Sequence, residues 1–516
     1  MNLKLMLAGL ATRYGDKTAI VFEGQKLSYS GLDEASNKVA NTLIKLGINR
    51  GDRIALLLNN SSEYIVTYFG IVKIGAAAVP LDPKYKVTEL TSILADCQPR
   101  ILVTESPVLE PLIPFFPSFK SIERVIDLSS KYPGRFHTYQ EIMSSSSAQP
   151  VKIEPDEEDV AHIAYTAGPS FYPKGVALTH HSIEIESIVS AEGFGMTDKD
   201  IVLLFALPLH HSAGMVIVLL TALSQGSTVA GLGGLSMTAL IKTIEKEKVT
   251  VFIGVPFIFA LLVREAGKKG INHNLKSLRL CASGGSPVTA ELTRQFKQYF
   301  GYTIAQFWGL TEATAHVTCQ LLNSRDKPGS VGPTLRGWEI KVIDENGREL
   351  SPNQDGELLL RGPIMKEYYH NPEATAKVIK DGWLYTGDIG RVDDDHNVFI
   401  TGRKKDMIII KGQNIYSSDI ENVLLRHPKT AEAAALSIPD LLRGEIIGAV
   451  IVLKPGTKAT EQEIKGFCLE HLANYKVPKQ FFFVESLPTA AAGQINKDIL
   501  RRRLSLPPIF PKITAP

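Results

Sequence analysis

The stretch "YSGLDEASNKVANTLIKLGINRGDRIALLLNN", residues 29–60, places an amphipathic pattern directly before an apolar run. Apolar side chains recur at helical spacing over residues 29–47, whereas residues 52–60 contain a continuous hydrophobic run at 54–58. A strand without polar alternation is typical of a parallel sheet that is covered by helices on both faces. This stretch therefore predicts one helix and one buried strand of an α/β layer.

The same alternation continues along most of the first 330 residues, which predicts doubly wound α/β layers. After about residue 329 short strands separated by Gly, Asn and Asp turns predict a β-rich subdomain, and the last hundred residues predict a small α+β unit. We place the border in the charged turn at residues 403–405. The expected architecture is a large N-terminal domain, 1–403, and a small C-terminal domain, 404–516.

Bulk composition indicates a multidomain globular protein without a polyanionic partner. The chain has 516 residues, 44% of them hydrophobic and 21% charged, with a formal net charge of +2. Such a balance argues against nucleic-acid binding. The four cysteines are far apart and form no C-x-x-C pair, so neither a disulfide framework nor a zinc site is expected. A reducing, cytoplasmic location fits this pattern.

Residues 201–226 are apolar enough to raise the question of a membrane span. Pro208, His210, His211 and Gly214 interrupt the stretch in its middle, where a spanning helix would leave polar groups unsatisfied. We therefore expect a buried strand, a turn and a buried helix. The N-terminus meets Arg13 and Asp16 too early for a secretory leader.

A candidate phosphate-binding loop is "YTAGPSFYPKGV", residues 165–176. Gly168 and Gly175 give backbone freedom after a strand-like segment, and Lys174 can bring a cation to phosphate oxygens. Taken alone, the stretch is equally consistent with an ordinary surface turn that contains a lysine.

Further motifs follow this loop in a fixed order, and together they resemble the AMP-forming acyl-CoA synthetases of the adenylate-forming superfamily. The motifs are "LPLHHSAG" (207–214), "ASGGSPV" (282–288), "QFWGLTEA" (306–313), "GWLYTGDIG" (382–390) and "GRKKDMIIIKGQNIYSSDIE" (402–421). The resemblance covers nearly the whole chain. It implies a two-step reaction: a carboxylic acid and ATP form an acyl-adenylate and pyrophosphate, and coenzyme A then displaces AMP.

The resemblance also implies roles for individual residues. Trp308 would stack on adenine, Thr311 would reach phosphate, and Glu312 would hold a phosphate-bound Mg²⁺. Asp388 would accept hydrogen bonds from the ribose, with help from Arg403. The remaining implied contacts are the phosphate-loop residues Thr166, Gly168, Ser170 and Lys174, the acyl-pocket gate His211, the ligand-approaching Gly284, Gly285, Gln306 and Gly309, and the coenzyme A loop Lys411 and Gly412.

Each of these residues also has an ordinary structural interpretation. Trp308 could be a buried tryptophan beside a helix-capping Thr-Glu pair, Asp388 an exposed turn residue, and His211 a satisfied core histidine. Gly284 and Gly285 could simply end a strand.

The resemblance further implies that the small domain rotates about a hinge at Lys405.

Two departures from the family pattern affect the step that consumes ATP. The usual loop Y-T-S-G-T-T-G-x-P-K-G has here Ala167, Pro169, Ser170 and Phe171 at four positions, so it is stiffer and has fewer donors. The family's C-terminal P-x-T-x-x-G-K lysine is replaced by Gln494. Loss of that cation costs roughly two to three powers of ten in rate.

Three functions remain open on the sequence alone. The first is an acyl-CoA ligase for a small or medium carboxylic acid that adenylates slowly or runs in reverse, from acyl-CoA, AMP and pyrophosphate toward ATP. The second is a catalytically impaired protein that binds AMP or acyl-CoA. The third is an adenylation enzyme that loads a carrier protein. The acid and the oligomeric state are not readable from the chain.

Overall fold

The fold is taken from a computed structural model of the whole chain. It describes residues 1–166, 174–205, 207–234, 236–269, 275–285, 288, 290–320, 327–344, 346–403, 407–410, 413–440, 444–488, 497–504 and 506. All statements below concern these residues.

The helices alternate with strands through most of the chain. The α-helices are α1 (Leu3–Tyr14), α2 (Tyr29–Lys45), α3 (Ser62–Val72), α4 (Val87–Cys97), α5 (Ser106–Leu109), α6 (Tyr139–Ser145), α7 (His180–Gly193), α8 (Thr221–Ser224), α9 (Met237–Glu247), α10 (Pro256–Lys269), α11 (Ala290–Phe300), α12 (Pro372–Val378), α13 (Ser417–Arg426), α14 (Glu461–His471) and α15 (Lys497–Arg503). Two 3₁₀ helices span Glu110–Ser118 and Thr311–Ala313, and a π-helix spans Ala213–Leu220.

The strands of the first half are β1 (Thr18–Phe22), β2 (Gln25–Ser28), β3 (Arg53–Leu57), β4 (Ala77–Leu81), β5 (Ile101–Thr104), β6 (Arg124–Asp127), β7 (His137–Thr138), β8 (Val160–Thr166), β9 (Lys174–Thr179), β10 (Ile201–Leu204), β11 (Thr228–Gly231) and β12 (Val251–Gly254). Those of the second half are β13 (Leu280–Ser283), β14 (Ile304–Trp308), β15 (Thr318–Cys319), β16 (Glu339–Ile343), β17 (Gly356–Arg361), β18 (Glu367–Tyr368), β19 (Ile379–Lys380), β20 (Trp383–Val392), β21 (Val398–Arg403), β22 (Met407–Ile410), β23 (Gln413–Tyr416), β24 (Thr430–Asp440), β25 (Gly444–Leu453) and β26 (Gln480–Phe483).

Two eight-stranded sheets form the α/β layers. One has the order β15-β14-β13-β12-β10-β11-β1-β2, and the other β18-β9-β8-β4-β3-β5-β6-β7. Neighbours from β14 to β1 run parallel in the first sheet, and β4, β3, β5, β6 and β7 run parallel in the second. The apolar run that predicted a buried strand is β3, whose last four residues are buried. The predicted doubly wound layers are confirmed.

The β-rich part and the C-terminal part also form as predicted. β16, β17, β20 and β19 make an antiparallel sheet, to which β21 adds beside β20. Further on, β22 pairs with β23, and β24, β25 and β26 form a three-stranded sheet. The helices α13 and α14 pack their apolar side chains into the same core as β24 and β25.

The apolar stretch at 201–226 forms a strand, a loop and a helix, as the sequence predicted. β10 enters the first sheet. The π-helix begins at Ala213 and continues directly into α8. The π-helix is buried from Gly214 onward. Among the residues that the structure describes, no helix has the length and apolar character needed to cross a membrane.

The described residues group into two compact units. The first comprises Met1–Pro83, Leu94–Tyr165 and Gly175–Gly402, and the second comprises Lys84–Ile93, Thr166–Lys174 and Arg403–Pro516. The predicted domains 1–403 and 404–516 stay a prediction, because the second unit also includes two short segments from the first 174 residues.

All four cysteines lie in the interior of these units as free thiols. Burial raises the pKa of Cys97, Cys281, Cys319 and Cys468 to about 12. Because the thiolate is the reactive form, these side chains are chemically quiet at neutral pH.

Candidate active site

Trp308 and Asp388, which the sequence assigned to adenine and ribose, lie in direct contact in the first unit. Trp308 ends β14, and its indole Nε1 donates a hydrogen bond of 2.9 Å to Asp388 Oδ2 on β20. Both residues are buried, with 8% and 1% of their surfaces exposed. The interpretation of Asp388 as an exposed turn residue is therefore wrong. Two motifs 80 positions apart form one polar and aromatic pair.

Thr311 and Glu312 follow Trp308 on a short 3₁₀ helix. Glu312 Oε1 accepts a hydrogen bond of 2.8 Å from the Tyr368 hydroxyl. Tyr368 lies on β18, which pairs with β9, and it stands opposite Val176, the last residue of the phosphate loop. Neither residue caps the helix, since its N-cap is Leu310 and has no side-chain bond. The interpretation as a capping pair is therefore wrong.

His211 reaches the same region through its neighbour. Ser212 Oγ lies 3.5 Å from Thr311 Oγ1, which links the loop after β10 to the loop after β14. The His211 ring centroid lies 4.9 Å from that of His210. The predicted gate and the predicted phosphate-contacting threonine thus belong to adjoining loops.

Two predicted glycines are required by packing within the protein itself. A Cβ on Gly284 would lie 2.3 Å from the Phe307 ring, and one on Gly309 would lie 1.9 Å from the Ala315 carbonyl oxygen. Gly285 has φ of +78°, a left-handed conformation that favours glycine. Close packing alone explains Gly284 and Gly309, so contact of these glycines with a ligand stays a prediction.

Gln306 precedes Trp308 on β14 and lies opposite Ser283 of β13. Its backbone N–H donates to Gln320 Oε1 at 2.9 Å, and its carbonyl accepts from the backbone N–H of Gln320 at 2.8 Å. These bonds fix the strand that delivers Trp308. They leave the predicted nucleotide contact of the Gln306 side chain untested.

The two ends of the phosphate loop are anchored separately. In the first unit the Tyr165 hydroxyl donates to Asp96 Oδ2 at 2.5 Å, and a Cβ on Gly175 would lie 2.8 Å from Ile163. In the second unit Thr166 Oγ1 lies 3.5 Å from the Lys174 carbonyl oxygen. Gly168 and Ser170 lie outside the described residues.

Comparison with known proteins gives the family. The family model described as AMP-binding enzyme matches residues 8–369, and the model of the AMP-binding enzyme C-terminal domain matches residues 419–494. The chain belongs to the AMP-binding enzymes. The predicted resemblance to the adenylate-forming superfamily is thereby confirmed.

Relatives of this AMP-binding enzyme match it over almost their whole length. It is 32% identical to a long-chain-fatty-acid–CoA ligase of Bacillus subtilis, covering 98% of this chain and 94% of the relative. It is 33% identical to 4-coumarate-CoA ligase 1 of Narcissus pseudonarcissus, with 96% and 92% covered. The amide bond synthetase McbA from Marinactinospora thermotolerans superimposes with a TM-score of 0.87 at 26% identity, with 98% and 99% covered.

The donor set of the AMP-binding enzyme suits a magnesium ion that is shared with phosphates. The residues described contain no group of three or more His, Cys, Asp or Glu side chains arranged to hold a metal ion. Mg²⁺ at nucleotide sites is usually bound by one or two carboxylates together with phosphate oxygens. Glu312 is a carboxylate that accepts a hydrogen bond from the neutral Tyr368 hydroxyl, and its role as a magnesium ligand stays a prediction.

Several predicted residues of the second unit lie outside the described part of the AMP-binding enzyme. These are Lys405, Lys411, Gly412 and Gln494, and for Arg403 only the backbone is described, in β21. Lys497, the nearest cation after Gln494 in the sequence, lies within α15. Its Nζ contacts Glu421 Oε1 at 2.9 Å and donates to Ser417 Oγ at 2.5 Å. In this arrangement Lys497 is held by its own unit.

A buried polar cluster of the AMP-binding enzyme was missed by the sequence analysis. Glu186 on α7 is 0% exposed, and Oε1 contacts Ser190 Oγ at 2.9 Å and the His316 backbone N–H at 3.2 Å. Oε2 accepts from Trp338 Nε1 at 3.1 Å. Ser190 Oγ also contacts His316 Nδ1 at 2.9 Å. The cluster ties α7 to the segment that packs against Gly309.

Burial governs the charge state of this cluster and of other interior histidines. It raises the pKa of Glu186 well above its usual value, although three hydrogen bonds oppose the shift. Burial also lowers the pKa of His316 to about 3 and those of His162 and His180 to about 4. We refer to His162, His180 and His316 as the three buried histidines. They are neutral at pH 7.

Proposed function

We propose that this AMP-binding enzyme is an AMP-forming acyl-CoA ligase, which joins a carboxylic acid to coenzyme A through an acyl-adenylate. The single observation that supports it best is the 2.9 Å hydrogen bond between Trp308 and Asp388. It sets an aromatic ring beside a buried carboxylate, a combination suited to adenine and a ribose diol. The two CoA ligases among the reported relatives agree with the thioester half.

In the first half, a carboxylate oxygen of the acid bonds to the α-phosphorus of ATP, and the bond to pyrophosphate breaks. We assign the phosphates to Thr166, Gly168, Ser170, Lys174 and Thr311. Glu312 would hold Mg²⁺, which when bound draws charge from the phosphate oxygens. Tyr368 orients that carboxylate through its 2.8 Å hydrogen bond.

In the second half, the sulfur of coenzyme A bonds to the acyl carbon and the bond from that carbon to AMP breaks. We assign Lys411 and Gly412 to coenzyme A and Arg403 to the ribose. A rotation about Lys405 would exchange the arrangement for adenylation with that for thioester formation. A cytoplasmic location completes the proposal, because four free thiols suit a reducing compartment.

We propose that adenylation is the weaker half. Pro169 has no N–H and Phe171 replaces a flexible glycine, so the phosphate loop presents fewer donors than the family pattern. Gln494 is neutral, so it brings no positive charge to the negative charge that develops at the α-phosphate during adenylation. We assign no such role to Lys497, because its ammonium group contacts Glu421 and Ser417.

The acids named for the relatives guide the choice of substrates to test. One relative is named for long-chain fatty acids and another for 4-coumarate, so aliphatic and aromatic acids should both be tested. We propose a small or medium carboxylic acid. Exchange of radiolabelled pyrophosphate into ATP should be measured across linear acids of increasing length and across aromatic acids.

Pyrophosphate exchange without thiol would establish a working adenylation site. If exchange is absent but preformed acyl-adenylate and coenzyme A give acyl-CoA and AMP, the chain performs only the thioester half. If neither reaction occurs, the ligase proposal is wrong and a nucleotide-binding role replaces it. Replacing coenzyme A with a phosphopantetheinylated carrier protein tests the carrier-loading alternative.

The variant Gln494→Lys tests the assignment of the missing cation. We expect pyrophosphate exchange to rise at least tenfold, because a cation then faces the charge that builds at the α-phosphate. Gln494→Met is the matched control, since it has similar length without charge and should leave the rate within about threefold of wild type. An unchanged rate in Gln494→Lys would contradict the assignment.

A further inference from the structure

The loop that carries His211, residues 207–212, is held on both sides of Pro208 by a single amide side chain. Asn60 Nδ2 donates to the Leu207 carbonyl oxygen at 3.0 Å. Asn60 Oδ1 accepts from the Leu209 backbone N–H at 2.8 Å. Both hydrogen-bonding ends of one side chain are thus used on this loop. We call residues 207–212 the histidine loop.

A second residue contacts the same loop from the neighbouring strand. Asp82 follows β4 directly, and its Oδ2 lies 3.7 Å from His210 Nε2. The side chains are 2% and 10% exposed, so this carboxylate–imidazole contact is shielded from water. β3 and β4 are adjacent and parallel, so Asn60 and Asp82 lie beyond the same end of the second sheet.

The histidine loop is compact enough to transmit these contacts to His211. The His211 backbone N–H donates to the Pro208 carbonyl oxygen at 3.0 Å, and the Met215 N–H donates to the His211 carbonyl at 3.0 Å. A Cβ on Gly214 would lie 2.3 Å from the Pro208 carbonyl oxygen. A shift at either anchor would therefore displace His211.

We infer that Asn60 and Asp82 are positioning residues for the acyl substrate: they fix the histidine loop and thereby set affinity for the carboxylic acid without setting affinity for the nucleotide. The inference rests on the proposed function together with the role that the family resemblance implies for His211, the gate of the acyl pocket. The nucleotide pair Trp308 and Asp388 is built on β14 and β20, which carry neither anchor. Release of the loop should thus affect the two substrates unequally.

The test compares Asn60→Ala with Asn59→Ala. Asn59 is the preceding residue, but its Nδ2 donates to Glu105 Oε1 at 2.6 Å and leaves the loop untouched. For Asn60→Ala we expect KM for the acid to rise about tenfold, with KM for ATP within twofold of wild type. Asn59→Ala should change neither constant. Asp82→Asn, which keeps the side-chain size, should raise KM for the acid about threefold.

A binding experiment separates the inference from the proposed function. Wild type and variants are titrated calorimetrically with AMP and with a non-hydrolysable acyl-sulfamoyl adenosine. Asn60→Ala should weaken the acyl ligand about tenfold and AMP less than twofold. If wild type binds both and folded Asn60→Ala and Asp82→Asn weaken both ligands equally or neither, this inference fails and the proposed function stands. If wild type binds neither, both fail.

Discussion

Replacing Glu186 removes the acceptor at the centre of the buried polar cluster. The side chain is 0% exposed and receives contacts from Ser190, the His316 backbone and Trp338 at 2.9, 3.2 and 3.1 Å. Leucine has a similar volume but accepts no hydrogen bond, so Glu186→Leu leaves these donors buried without their acceptor. Glutamine keeps one oxygen and turns its NH₂ group toward a donor.

The expected loss of stability follows from these contacts. A buried donor that loses its partner costs about 1–3 kcal/mol. In Glu186→Leu three donors lose their acceptor, but the variant also removes the cost of burying the carboxyl group. The expected net loss in the free energy of unfolding is ~3–5 kcal/mol. Glu186→Gln loses only the Trp338 contact when its amide oxygen takes the place of Oε1, which accepts the other two hydrogen bonds, and this gives ~1–2 kcal/mol.

Urea unfolding at pH 7.5, followed by tryptophan fluorescence, measures both variants. The matched control is Glu192→Leu on the same helix, because Glu192 forms a 2.8 Å ion pair with Arg336 at the surface, where such pairs contribute about 0–1 kcal/mol. We expect the unfolding midpoint to fall in the order Glu192→Leu, Glu186→Gln, Glu186→Leu, with the last lowest. Equal midpoints for the two leucine variants would refute the reasoning.

Three further outcomes follow from the described contacts. Between pH 6.5 and about 4 the three buried histidines bind protons only in the unfolded chain. The free energy of unfolding should therefore fall as pH falls through this range, by ~1.4 kcal/mol per pH unit for each histidine. In urea titrations at several pH values, His162→Phe should reduce the contribution of these histidines to that slope by about a third. Trp308→Phe loses the hydrogen bond to Asp388 and should weaken AMP binding about fivefold to tenfold by calorimetry, whereas an unchanged affinity would remove this pair from the nucleotide site. Lys497→Met breaks the ion pair with Glu421 and should lower the thermal midpoint while pyrophosphate exchange stays within twofold; a tenfold loss of exchange would show that Lys497 replaces the missing family lysine.

Much of the fold is predictable because its strands and helices leave periodic patterns. β3 and β12 lie inside parallel sheets and read as apolar runs, and α2 carries an apolar stripe. The family resemblance predicts that Trp308 contacts adenine and that Asp388 contacts the ribose, but it does not predict that the two residues contact each other. The sequence could not give their direct hydrogen bond, because it depends on how β14 and β20 approach each other.

Other features left no pattern to read. Glu186 stands among the polar positions of α7, and its burial arises because that helix is enclosed on nearly all sides. Gly284 has a packing requirement that the sequence does not show, because the Phe307 ring occupies the space that its Cβ would need. Asn60 follows an apolar strand as an ordinary polar turn residue would, and its partners lie 147 and 149 positions away.

The interior placement of every cysteine makes the chain a convenient host for site-specific probes. With all four sulfhydryls enclosed, a maleimide dye or spin label would react selectively with a single cysteine introduced at the surface. One label on each of the two compact units, attached to the otherwise unmodified sequence, would report changes in their separation during turnover. No native cysteine would first have to be replaced, so the packing around those buried sulfur atoms would remain undisturbed.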